Sequence, residues 1–125
     1  MILDTNALSA IVDGRAEIRP YIEDAPFIAI PVVALGEYRF GVALSNRNAL
    51  YRQWLLDHLH EYRMLPITEE TTLHYADVRV ELKRDGKPIP SNDIWIAALS
   101  RQHHMPVLSR DRHFDVVRGL RRVTW

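Results

Sequence analysis

Four carboxylates stand where a carboxylate is costly unless something answers it: Asp4, Glu37, Asp93 and Asp111. Asp4 ends the apolar run Met1-Ile2-Leu3, and Asp111 follows the apolar run Pro106-Val107-Leu108. Asp93 lies in the first turn of a segment that is apolar almost all round, and Glu37 interrupts another apolar helix. Brought to one point, such a set repels itself strongly unless a divalent cation screens it. Hard oxygen ligands select Mg²⁺ or Mn²⁺. An ion held this way activates water and stabilises the oxygens of an in-line phosphoryl displacement. Each acid also has a plainer reading. Asp4 can accept hydrogen bonds from the turn after it. Asp93 can complement a helix dipole. Glu37 can pair with an arginine, and Asp111 sits between Arg110 and Arg112, which can neutralise it.

The elements that must position these residues alternate. Short apolar strands are expected at Met1–Leu3, Phe27–Ile30, Met64–Ile67, Pro106–Ser109 and Leu120–Thr124, the last at an edge. Helices are expected between them: Ala7–Val12, Ala16–Asp24, a helix opened by Pro31 and running to about Leu44, the amphipathic stretch Asn48–Tyr62, Thr68 to about Arg84, and a buried helix capped by Ser91 and running to His103 or His104. On the third of these, Glu37 falls on the stripe of Val33, Phe40 and Leu44. Alternating strands and helices argue for an α/β domain over residues 1–125, with a central, mostly parallel sheet of about five short strands flanked by helices. In such a sheet the four acids converge on one rim.

The totals fit. The chain has 125 residues, 47% of them hydrophobic and 26% charged, with zero formal net charge. That suits a core without staples and gives no global pull toward a polyanion. Residues 63–125 are the more basic half, which could meet phosphates. Cysteine is absent, which removes thiolate and disulfide chemistry and suits a reducing cytoplasm. No apolar run approaches the roughly 18 residues of a membrane span, and the first residues lack the basic start of a signal peptide. No P-loop, zinc motif or Ser-His-Asp order competes for the site. Tyr51, Trp54, Leu55, Leu59 and Tyr62 recur at helical spacing, and this stripe is the expected surface for a homodimer.

Met1-Ile2-Leu3-Asp4-Thr5-Asn6, Glu37 in its helix, Pro88-Ile89-Pro90-Ser91-Asn92-Asp93 with the apolar run after it, and Ser109-Arg110-Asp111-Arg112-His113-Phe114 together resemble PIN domains, in particular VapC-type toxins of bacterial toxin–antitoxin pairs. The similarity covers essentially the whole chain. It implies a Mg²⁺-dependent ribonuclease, a homodimer, and a cognate antitoxin that holds the enzyme inactive. By the same resemblance Asp4 and Asp93 are the leading metal ligands, Glu37 completes the set or positions a water, Asp111 is the fourth acid, and Asn6 has a supporting role. Lys87, Arg110 and Arg112 are candidates to hold flanking phosphates of an RNA substrate. A haloacid-dehalogenase-like phosphatase would want a second acid two residues after Asp4, where Asn6 stands. A receiver domain would want a lysine where Ser109-Arg110 stands. A non-catalytic module whose acidic cleft captures a basic peptide stays open.

Overall fold

The computed structural model describes residues 1–125. Five very short strands form one sheet: β1 (Ile2–Leu3), β2 (Ala29–Pro31), β3 (Arg63–Leu65), β4 (Val107–Leu108) and β5 (Arg122–Val123). Their order is β3-β2-β1-β4-β5, and every pairing is parallel. Ile2 lies opposite Ala29 on one side and Val107 on the other. Six α-helices connect and cover the sheet: α1 (Thr5–Val12), α2 (Arg19–Glu23), α3 (Val32–Ala43), α4 (Asn48–His58), α5 (Glu69–Arg84) and α6 (Ser91–His103).

Side-chain alternation on the strands divides the core in two. Ile2, Ala29, Leu65 and Val107 point to one face, where α5 and α6 pack with Val78, Leu82, Ile96, Leu99 and Phe114. Leu3, Ile30 and Leu108 point to the other, where they meet Ala7, Leu8, Tyr38, Val42 and Leu55 of α1, α3 and α4. A strand buried on both faces reads as a continuous apolar run, which is why such short strands are visible in the sequence at all. β1 is the centre of this order: the chain leaves it toward β2 and β3 on one side and returns beside it as β4. The gap between β1 and β4 is therefore the switch point where open parallel sheets bind ligands, beyond the carboxyl ends of the strands.

Several local expectations shift. Residues 16–24 form a 3₁₀ turn (Ala16–Ile18) followed by α2, not one helix. Phe27 lies outside β2, 45% exposed. Pro31 is the last residue of β2 and the extended cap of α3, so the helix begins one residue later, at Val32. Pro90, not Ser91, caps α6, and the Ser91 side chain makes no capping bond. The buried side of α3 is Ala34, Tyr38 and Val42, while Phe40 and Leu44 are exposed. The stripe expected to bury Glu37 is thus mostly the outer one, and Glu37 stands at its margin with the buried side. The Tyr51–Tyr62 stripe is taken up by the protein's own core. The exposed apolar residues nearby are Phe40, Leu44, Leu50 and Leu56.

Candidate functional site

The carboxyl end of β1 hands directly to α1 through Asp4. Asp4 is 5% exposed and has extended backbone, and its Oδ1 accepts from the amide of Thr5 at 2.7 Å. The plain reading of Asp4 as a local acceptor is therefore realised, but it uses only one oxygen. Oδ2 accepts from Ser109 Oγ at 2.7 Å and from Asn6 Nδ2 at 3.1 Å. Ser109 is wholly buried at the end of β4. Its Oγ also accepts from the amide of Asp111 at 2.9 Å, so one hydroxyl ties the ends of two adjacent strands together. Ser109 and Asn6 are the orienters of Asp4. The sequence offers a signal for Asn6, but for Ser109 only its place at a strand end.

Asp93 arrives from below, in the first turn of α6, and is 8% exposed. Its Oδ2 lies 2.9 Å from His113 Nδ1, and the same nitrogen lies 3.1 Å from Asp111 Oδ1. Asp111 caps the 3₁₀ turn Arg112–Val116, accepting from the amide of His113 at 2.9 Å. The expectation that Arg110 and Arg112 neutralise Asp111 does not hold. Arg110 donates through Nε to the Trp125 carbonyl at 3.1 Å and lies over that indole at 4.7 Å, and the side chain that meets Asp111 is His113. His113 is the residue that sequence reasoning missed. Lone histidines carry little signal, and this one matters only because the turn points it back at Asp93.

Glu37 completes the group from α3. Burial raises its pKa, the charges of Asp4 and Asp93 raise it further, and a side-chain interaction with Asn92 opposes them weakly. Burial likewise raises the pKa of Asp4, against the hydrogen bonds from Ser109 and Thr5, and the charges of Asp93 and Asp111 add to the rise. Asp93 is raised by burial too, and its bond to His113 pulls the other way. Asp4 thus feels Asp93 and Asp111, Glu37 feels Asp4 and Asp93, and Asp93 feels Asp111. In the whole molecule only Thr5 Oγ1 and Glu37 Oε1 are buried side-chain polar atoms without a hydrogen-bond partner, and both residues line one cavity between α1 and α3. A buried acceptor left alone costs roughly 1–3 kcal/mol. None of Asp4, Asp93 and Asp111 lines that cavity, and what fits a hard divalent cation is the chemistry of the four acids, whose carboxylate oxygens are hard donors. The trio Asp93, Asp111 and His113 is itself close enough to share an ion, with its ligand atoms within 4.8 Å of one another.

Among known proteins, the chain is 34% identical over 125 residues to Toxin FitB of Neisseria gonorrhoeae, covering 89% of this chain and 87% of that protein. It is 30% identical over 120 residues to Ribonuclease VapC5 of Mycobacterium tuberculosis, covering 94% and 87%. The crystal structure of DNA-bound VapBC from Salmonella typhimurium superposes with a TM-score of 0.88 over 99% of this chain and 96% of that one, at 23% identity, and shows the same fold. The family profile for the PIN domain matches residues 1–120, which hold all four acids and the β1–β4 switch point between them, and the chain belongs to that family.

Proposed function

We propose that the chain is a Mg²⁺- or Mn²⁺-dependent endoribonuclease, the toxin of a toxin–antitoxin pair, acting in the cytoplasm. One observation supports the reading above the others: Asp4 and Asp93 are buried at the carboxyl end of the sheet, Glu37 feels the charge of both, and its Oε1 has no hydrogen-bond partner in the protein. The relatives named as ribonuclease and toxin support the substrate class.

Asp4, Asp93 and Glu37 would hold the ion, with Asp111 as the fourth acid. When bound, the ion supplies a water of lowered pKa and offsets the charge of the phosphate. Ser109 and Asn6 keep Asp4 Oδ2 in place, so the carboxylate meets its partner without losing rotamer freedom at that moment. Glu37 Oε1, which has no partner in the protein, would accept the proton of the attacking water. The water oxygen would bond to phosphorus in line as the opposite P–O bond breaks, the leaving oxygen taking up a proton from solvent. Lys87 and Arg112, both exposed, are the candidates to meet flanking phosphates. Arg110 is committed to Trp125 and is the poorer candidate.

The antitoxin and a second copy of the chain are the expected partners. Exposed Phe40 and Leu44 at the end of α3, with Leu50 and Leu56 on α4, leave apolar surface for them. The test is cleavage of RNA by the purified chain in Mn²⁺ against the same assay in chelator, together with calorimetry of Mn²⁺ binding. The reading expects metal-dependent cleavage and binding that Asp4→Asn and Asp93→Asn each weaken. Cleavage that ignores chelator, or binding unchanged in both variants, would end it.

A further inference from the structure

We propose that His113 determines specificity for RNA, with Asp93 and Asp111 fixing its Nδ1 edge so that Nε2 meets the ribose 2′-hydroxyl beside the scissile phosphate. The inference rests on the ribonuclease reading above.

Nδ1 lies 2.9 Å from Asp93 Oδ2 and 3.1 Å from Asp111 Oδ1. Ionised carboxylates only accept, so Nδ1 carries a hydrogen. The backbone amide of His113 also donates to Asp111, and the next residue, Phe114, is wholly buried. Ring and backbone are therefore both held, which is the preorganisation a recognition group needs. Nε2 is on the far edge of the ring and has no partner in the protein, and the side chain is 48% exposed against 12% for Asp93. The open edge of the imidazole thus faces outward above the acids. What it can meet follows from charge and geometry. A phosphate oxygen would add a further negative group next to Asp93 and Asp111. A 2′-hydroxyl adds no charge and can both donate and accept, so it matches the free ring nitrogen. It is also the group by which a protein tells RNA from DNA.

The test uses the full chain in Mn²⁺ and a synthetic oligonucleotide spanning a cleavage site mapped on bulk RNA, with ribose throughout or with one 2′-deoxy substitution on either side of the cut. The parent should lose roughly tenfold in kcat/KM at one of the two positions, the scale of one hydrogen bond. His113→Asn keeps an amide nitrogen near the Nδ1 position and nothing at Nε2. It should cut ribose and deoxy forms alike. His113→Gln places an amide near the Nε2 position and should restore part of the preference. Both variants should bind Mn²⁺ like the parent and keep its melting temperature within a few degrees. A parent that cuts both forms equally overturns the inference and leaves the ribonuclease reading standing. So does a ribose preference retained by His113→Asn, or a loss in both variants that is equal for ribose and deoxy substrates, which would make His113 a pin for the acids. A tenfold loss of Mn²⁺ affinity in both variants would make the ring a metal ligand instead and overturn it equally. A parent that cuts no RNA in Mn²⁺ removes the reading and the inference together.

Discussion

The two rims of the sheet handle charge in opposite ways. At the amino ends of β4 and β5, where α6 terminates, Arg101 and Arg118 both find carboxylates. Arg101 donates to Glu81 at 2.6 Å and to the Arg118 carbonyl at 2.9 Å, and Arg118 pairs with Asp85. At the carboxyl ends of β1 and β4 the acids outnumber their cations. Asp4 is held by neutral hydroxyl and amide groups, His113 is shared by two carboxylates, and one oxygen of Glu37 has nothing. The same chain can pair its charges, so the imbalance at the second rim is a property of the site and not of the composition. Pairing within the protein serves the fold; an unmatched set serves something that arrives from outside.

The sharpest way to break this contrast is to remove one acid. Asp4→Asn and Asp93→Asn should each lower the RNA cleavage rate at least about 100-fold, which is near 2.7 kcal/mol of transition-state stabilisation. In chelator the same variants should melt at or above the parent's temperature, because burial already favours the neutral form of both groups. Initial rates and thermal melts of the same preparations check this. A marked drop in melting temperature for Asp93→Asn would instead mean that its charge mainly serves the α6 dipole, a contribution of up to about 1 kcal/mol.

Glu37 and Asp111 sharpen the contrast within the acid rim. Glu37→Gln should cost most of the rate, roughly 100-fold, because its free oxygen has no understudy. Asp111→Asn should cost closer to tenfold, since an amide oxygen can still accept from the His113 backbone. The comparison is of initial rates at saturating Mg²⁺, with folding followed by circular dichroism. Near-parental activity in Glu37→Gln beside a dead Asp111→Asn would reverse the roles.

The sequence disclosed this rim unevenly, for physical reasons. Strands buried on both faces leave unbroken apolar runs, so β1, β2 and β4, and with them Asp4 and the segment of Asp111, could be placed from sequence. Asp93 was legible because a proline-rich stretch and an apolar helix frame it. The surroundings of Glu37 were not, since α3 is apolar on faces that the fold leaves exposed, and hydrophobicity alone chose the wrong stripe. Ser91 looked like a cap, but Pro90 already has the extended backbone that a cap requires. Ser109 and His113 act through contacts across about 100 and 20 residues of chain, which no local pattern records.

Titration in the absence of metal offers a smaller and independent effect. Asp4, Asp93 and Glu37 have folded pKa values above their ordinary ones, so between those values the native state binds more protons than the unfolded chain. Stability then falls as pH rises from near 4 through the raised values. His113 is raised chiefly by its bond to Asp93, so its contribution is present below its ordinary 6.5 and is lost as pH rises through the folded value. Both trends run downward with pH in chelator, and the gap between parent and Asp93→Asn should widen in the variant's favour. Mn²⁺ at 100 times its Kd should offset the loss by about 2.7 kcal/mol, roughly 10 °C in a chain of this size. Scanning calorimetry across pH, with and without ion, reads both effects. Equal slopes in parent and variant would mean that the acids do not feel one another.

The least effect is expected at the opposite rim, where it is also the control for the contrast. Arg101 and Glu81 are each about a third exposed, so solvent screens their attraction and the pair should be worth no more than about 1 kcal/mol. Arg101→Met keeps much of the aliphatic stem that packs against α5, and it removes both the ion pair and the bond to the Arg118 carbonyl. That carbonyl is close enough to the surface for water to replace the lost donor, which keeps the cost small. The variant should melt about 3 °C lower, and the shift should shrink in high salt as the lost attraction is screened in the parent as well. Its RNA cleavage rate and Mn²⁺ affinity should equal the parent's, since no hydrogen bond or ion pair links Arg101 to the acids at the other end of α6. A variant that melts normally but loses cleavage would place this rim in contact with the substrate, and the division between a rim for the fold and a rim for chemistry would fail.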